Sequence, residues 1–152
     1  MNLDFDALLD RLQKQDECQY IEVKESTNAL GKSALETISA FSNEPGGGGG
    51  YFIFGLKRAE EEEPEKRYLV KGVSNPDKVQ QELANVCRNT FNIRITPKIS
   101  VHTYEGRTII VAFVPEAFCR NKPVFIERLG TERGAFRRIG SADHRCTADD
   151  LD

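Results

Sequence analysis

Five consecutive glycines, Gly46 to Gly50, separate Ala40-Phe41-Ser42-Asn43-Glu44-Pro45 from the apolar run Tyr51-Phe52-Ile53-Phe54-Gly55. Glycine brings no side-chain contact and loses more backbone freedom on folding than any other residue. A folded domain keeps such a run where its backbone must approach something very closely, or where a loop must move. The close neighbour is another part of the fold or an anion such as a phosphate. With nothing in the run for a side chain to anchor, Gly46 to Gly50 are expected to be mobile in the free domain.

The chain has 152 residues, the size of one domain with a buried core. Its 39% hydrophobic and 30% charged content suits a globular protein. No apolar run approaches the roughly eighteen residues that cross a bilayer, so no membrane partner is expected. The acidic, amphipathic N-terminus does not resemble a secretory signal. The four cysteines, Cys18, Cys87, Cys119 and Cys146, lack paired C-x-x-C spacing and read as reduced thiols of a cytoplasmic protein. His144 and Cys146 offer two metal ligands with no second pair to complete a zinc site. The net charge of −3 is unevenly distributed: residues 1–66 carry 7 Lys+Arg against 14 Asp+Glu, whereas residues 120–145 carry 7 against 3. Such asymmetry marks either a basic face on an acidic domain or a solvated surface without a partner.

Periodicity predicts the elements. Apolar spacing from Leu3 to Gln13 predicts a short amphipathic helix, and the alternation Tyr20-Ile21-Glu22-Val23-Lys24 a strand with Glu22 and Lys24 on one face. Ser33-Ala34-Leu35-Glu36 has capping-box form, so a helix is expected from Ser33 until Asn43 and Pro45 end it. Tyr51 to Leu56 predicts a strand, Glu60 to Glu65 an acidic loop, and Asp77 to Phe91 a second main helix. Glu105-Gly106 should turn a hairpin between strands 99–104 and 107–114. A further strand pair is expected between 123–126 and 135–139, and the start of a helix at Thr147. The fold class is therefore α/β (α+β): a mixed, largely antiparallel sheet with two main helices packed against it.

Three constellations carry possible chemistry. Gly31-Lys32-Ser33 resembles the end of a phosphate-binding P-loop, but Ser26 stands where the first glycine is required. Glu17 and Glu22, with Lys24 nearby, are weak catalytic candidates: two carboxylates that converge could hold a divalent metal for phosphodiester cleavage, and otherwise they are exposed edge charges. Lys122, Arg133, Arg137 and Arg138, interleaved with Phe125 and Phe136, suit phosphate contact and base stacking, although Arg137 and Arg138 must point to opposite faces of a strand.

Glu17 with Ile21-Glu22-Val23-Lys24 makes an E-x4-E-x-K opening. It is followed in order by Ile38-Ser39-Ala40-Phe41-Ser42-Asn43, the glycine run, Phe52-Ile53-Phe54-Gly55-Leu56, Ile95-Thr96-Pro97, Lys122-Pro123-Val124-Phe125 and Phe136-Arg137-Arg138-Ile139-Gly140-Ser141. This ordered set, spanning almost the whole chain, resembles the Schlafen-type AlbA DNA-binding domain, also termed a divergent AAA-type domain. The resemblance implies a nucleic-acid-binding module, with DNA favoured over RNA, forming an N-terminal part of a longer bacterial transcriptional regulator or RecG-related ATP-dependent helicase-like protein. Lys24, Lys122, Arg133, Arg137 and Arg138 would contact phosphates, joined by backbone N–H groups of Gly46, Gly47, Gly48, Gly49 and Gly50. No cofactor and no metal is implied for the domain, and self-association is left open. The glycine run is longer than the usual family form. Nuclease members of the Schlafen group carry a third acid shortly after the strand corresponding to Phe52 to Leu56, where this chain has Lys57 and Arg58. A metal-dependent nuclease using Glu17 and Glu22, and a platform that binds a nucleotide or a protein, are the competing readings.

Overall fold

Alternation along two central strands decides the layering. The computed structural model describes residues 5–15, 19–25, 30–63 and 66–151. Strands β1 (Ile21–Lys24), β2 (Gly49–Phe54), β5 (Lys98–Tyr104) and β6 (Arg107–Pro115) form one sheet in the order β1-β2-β6-β5. β1 runs parallel to β2, and the other pairings are antiparallel. Because successive strand residues point to opposite faces, Phe52, Phe54, Ile110, Ala112 and Val114 share one core with helices α2 (Lys32–Asn43) and α3 (Pro76–Asn89). Tyr51, Ile53, Ile109 and Val111 share a second core with Phe5, Leu8, Leu9 and Leu12 of α1 (Phe5–Gln15). The result is the expected mixed, largely antiparallel α+β fold, with α1 covering the face opposite the two main helices.

Smaller elements complete it: the hairpin of β3 (Leu56–Glu63) and β4 (Lys66–Val70), a short helix α4 (Gly130–Gly134), the hairpin of β7 (Phe136–Ile139) and β8 (Ala142–Arg145), and α5 (Ala148–Leu151). Local chemistry fixes several element ends: the Glu105-Gly106 turn and the Thr147 helix start as expected, and the start of α3 at a cap the sequence reading did not name. Asn75 caps α3 by accepting from the Lys78 N–H at 3.2 Å, with Pro76 in the first turn. Glu105 and Gly106, with φ of 50° and 74°, turn the β5–β6 hairpin. Thr147 caps α5 reciprocally: its N–H donates to Asp150 and the Asp150 N–H donates to its hydroxyl.

Three expectations are corrected. The capping box at Ser33 does not form; Gly31 is the N-cap, without a side-chain cap, and Glu36 instead reaches Lys32 at 3.8 Å. The acidic run is strand through Glu63, because it pairs antiparallel with β4, with a register shift between Arg58 and Glu63; Pro64 and Glu65 lie outside the described residues. Segments 123–126 and 135–139 do not form a ladder. A single bridge joins Phe125 to Ala135, and β7 pairs with β8 instead. Beside backbone bonds from the Ile126 N–H to the Gly134 carbonyl and from the Asn92 N–H to the Phe125 carbonyl, side chains supply much of the bonding of 123–126. Asn43 donates to the Val124 and Phe136 carbonyls at 2.9 and 3.0 Å and accepts from the Val124 N–H at 2.7 Å. Asn92 accepts from the Phe125 N–H at 2.8 Å. Ser39, one turn before Asn43 on α2, accepts from the Phe136 N–H and donates to the Val124 carbonyl.

The glycine run divides in two. Gly49 and Gly50 are buried strand residues of β2, paired with Pro115 and Val114, so the expected mobility does not extend to them. A Cβ on Gly50 would lie 2.4 Å from the Phe41 ring, and one on Gly49 would lie 2.1 Å from the Val114 carbonyl oxygen at a φ of +115°. Gly49→Ala should therefore destabilise the domain by roughly 3–4 kcal/mol through overpacking and backbone strain. Gly46→Ala, which meets open space at a φ of +72°, should cost only about 1–2 kcal/mol. Urea unfolding of both variants is the check, and equal losses would contradict this division.

Candidate nucleic-acid interface

The cations singled out in the sequence have very different surroundings. β7 lies beside the end of α2, and its alternation sends Arg138 inward and Arg137 outward. Arg138 is only 2% exposed. Its guanidinium donates to Glu22 at 2.8 Å, to Asp143 at 3.1 Å and to the Ile21 carbonyl at 3.2 Å, and lies 5.3 Å from the Phe41 ring centre. This is an internal cross-link from β7 to β1, β8 and α2. Arg138 is therefore withdrawn as a phosphate contact: a nucleic acid cannot reach a guanidinium enclosed in this way. Its burial also accounts for Glu22, one of whose oxygens faces Arg138 while the other lies 3.6 Å from Lys24. A divalent cation at Glu22 would compete with both. Glu17 lies outside the described residues, and among the described residues no three His, Cys, Asp or Glu side chains converge to hold a metal ion.

Arg137 is half-buried between two acids. It donates to Glu44 at 3.1 and 3.3 Å and to Asp150 of α5 at 2.8 Å. The Glu44 hydrogen bonds, then those of Asp150, raise its pKa further above the ordinary arginine value. The Asp150 carboxyl is held below its usual range by the Thr147 N–H first and by Arg137 second. Glu44 is itself buried and also accepts from the Arg138 N–H at 2.9 Å.

Lys122 and the glycine loop meet at Glu116, a residue not picked out from sequence. Lys122 Nζ lies 2.6 Å from Glu116 Oε2, and the same carboxylate accepts from the N–H groups of Gly46 and Gly48 at 3.2 and 3.0 Å. Positive φ at Gly46 and Gly48 turns these two amides toward one anion. The loop thus forms an anion nest, and the chain's own carboxylate fills it. Lys122, Arg137, Asn43, Pro123, Cys119 and Asp150 line an adjoining cleft of about 490 Å³.

The exposed charges lie elsewhere. Arg133, on α4, is exposed and makes no ion pair among the described residues, and the same holds for Arg120, Arg128 and Arg145. Phe118 is 71% exposed, and the Arg120 guanidinium stands 5.3 Å from its ring centre. The run Phe118-Cys119-Arg120-Asn121-Lys122 interleaves an aromatic with cations, and that pattern is the signal that sequence reading passed over. Of the cysteines, Cys87 is buried, which pushes its thiol up to about 12, and Cys146 is pushed up to about 11, chiefly by burial; both are free, as is Cys119.

A layered α+β domain with free arginines and an exposed aromatic fits a nucleic-acid-binding type of module. The model of the family Schlafen, AlbA_2 matches residues 17–147, and the chain belongs to that family. The solution NMR structure of the N-terminal domain of a Nitrosomonas europaea protein, named as an ATP-dependent DNA helicase RecG-related protein, is 40% identical, with a TM-score of 0.75 over 97% of this chain and 95% of that one. The crystal structure of the DIP2311 protein from Corynebacterium diphtheriae shares the fold at 17% identity and a TM-score of 0.54, over 84% of this chain and 22% of that one. A search of curated proteins gave no match. Among the described residues no helix is long and apolar enough to cross a membrane.

The Glu116 contacts have a pH signature. Hydrogen bonding from Lys122 above all, and from the Gly48 and Gly46 amides, lowers the Glu116 pKa against its burial. A carboxyl whose folded pKa lies below its unfolded value adds stability above the ordinary glutamate range, and that stability is lost as pH falls through the lower folded value. The Gly46 and Gly48 amide resonances should therefore move together on acid titration, with a midpoint below the usual glutamate range. Glu116→Gln should abolish the transition. Glycine amides that ignore pH in the wild-type chain would show that the nest is not closed by Glu116.

Proposed function

We propose that the domain binds DNA as the N-terminal module of a longer bacterial transcriptional regulator or RecG-related helicase-like protein acting in the cytoplasm. Family membership and the likeness to the N-terminal domain of the RecG-related protein support this reading. The observation that carries it is the division of the basic C-terminal third into spent and available charge. Arg138, Arg137 and Lys122 are occupied by carboxylates of the chain itself, whereas Arg120, Arg128, Arg133 and Arg145 are exposed and unpaired among the described residues. Exposed guanidinium groups suit phosphate oxygens, which they meet with paired N–H donors. Lys24, Lys122 and Arg137 add to the attraction at longer range, weakened by their own partners. The glycine loop shapes this face through Glu116 rather than offering Gly46 and Gly48 N–H groups to a phosphate.

Affinity for a labelled 20-base-pair duplex should fall steeply as salt rises, because each neutralised phosphate releases counterions. Arg128→Ala combined with Arg133→Ala should weaken binding similarly for all sequences and flatten the log–log salt slope by about 1 per lost contact. Affinity independent of salt would contradict phosphate contact. Retention in that variant with loss in Arg88→Ala/Arg94→Ala, which removes two other exposed arginines, would move the interface elsewhere on the domain.

A further inference from the structure

We propose that the segment around Phe118 is a base-stacking platform that makes the domain prefer single-stranded DNA to duplex. This inference rests on the DNA-binding reading above and specifies its substrate.

Phe118 is the most exposed of the large hydrophobic side chains among the described residues, and it joins neither core. Leaving a phenylalanine in water forgoes a burial worth about 1.5–3 kcal/mol, so the fold gains nothing from it there. Its backbone is nevertheless fixed. The Ala117 N–H donates to the Ser42 carbonyl of α2 at 2.9 Å. The Asn121 N–H donates to the Phe118 carbonyl at 2.9 Å, and the Lys122 N–H to the Cys119 carbonyl at 3.2 Å, closing a tight turn over Cys119–Asn121. The ring is therefore presented outward from a braced turn.

The surroundings of that ring point to one class of occupant. Arg120 lies against the ring, which restrains both side chains and sets a cation beside whatever stacks on the exposed remainder. Cys119 and Lys122 of the same segment line the 490 Å³ cleft, whose other polar lining is Asn43, Arg137, Asp149 and Asp150, so the cleft is of mixed charge and the exposed ring with Arg120 lies outside its lining. An exposed aromatic ring with an arginine against it matches a chain of alternating flat bases and phosphates. It does not match duplex DNA, whose base faces are already stacked on one another; only an unpaired base offers a face to Phe118. A protein partner would also use an exposed phenylalanine, but the surplus of positive charge over residues 120–145 favours a polyanion.

The experiment compares labelled dT20, rU20 and a 20-base-pair DNA duplex by fluorescence anisotropy with the whole chain, at two salt concentrations. The wild-type chain should bind dT20 more tightly than duplex. Phe118→Ala should weaken dT20 binding by about 5–100-fold while changing duplex binding less than about twofold. Since the chain has no tryptophan, Phe118→Trp creates a single tryptophan at the platform, excited selectively over the four tyrosines. It should retain dT20 binding and be quenched by dT20 but not by duplex. The side chain is exposed, so neither variant threatens folding. If dT20 and duplex bind equally and Phe118→Ala is silent, the stacking proposal fails while the DNA-binding reading stands. Binding of rU20 without dT20 overturns the DNA assignment, and binding of none of the three overturns both readings.

Discussion

The buried charge of Arg138 organises the C-terminal hairpin against α2 and β1. Taking a guanidinium out of water is affordable only where anions and carbonyls meet it with good geometry. Here Glu22, Asp143 and the Ile21 carbonyl do so, over the face of Phe41. Removing one member of such a cluster typically costs about 3–5 kcal/mol, mostly because the remaining charge is left buried and unpaired. The cross-link fixes β7 against α2 and β1. Strand alternation then places Arg137 on the opposite face, against Glu44 and Asp150.

A second consequence concerns the use of charge. Two carboxylates, Glu44 and Glu116, stand on either side of the glycine loop and satisfy donors that sequence reading assigned to a ligand. Glu44 serves Arg137 and the Arg138 amide, and Glu116 serves Lys122 and the loop amides. The basic residues of the C-terminal third thus form two populations. One holds the fold together and shapes a cleft; the other, with Phe118, faces solvent. Surface charges without partners lose little on meeting a phosphate, whereas paired ones must first give up a hydrogen-bonded carboxylate.

Much of the fold is legible in the sequence where local chemistry dominates. The β5–β6 hairpin follows from Glu105-Gly106, α3 from its apolar spacing, and the central strand β2 from its continuous apolar run. Legibility fails where distant side chains replace backbone partners. Asn43, Ser39 and Asn92 bond the 123–126 segment and so remove its need for the strand partner that its apolar pattern suggested. Ser33 lost the cap because the helix begins at Lys32, with Gly31 as its N-cap. Sequence identifies the candidate cations only as a pool. Period-two alternation separates Arg137 from Arg138 but cannot say which is buried, and Glu44, Glu116, Asp143 and Asp150 declare themselves only in three dimensions. Phe118 was readable, as an aromatic among cations in a segment without periodicity.

The central claim is that the exposed population, not the paired one, meets the ligand. The most direct measurement is a residue-by-residue map of amide chemical-shift changes as dT20 is titrated into the labelled domain. The account predicts that the largest early changes fall at Phe118 to Asn121 and around Arg128, Arg133 and Arg145. Arg138, Glu22 and Asp143 should stay unperturbed. Changes centred on Arg138 and the β1 carboxylate, with the 118–121 turn silent, would contradict it.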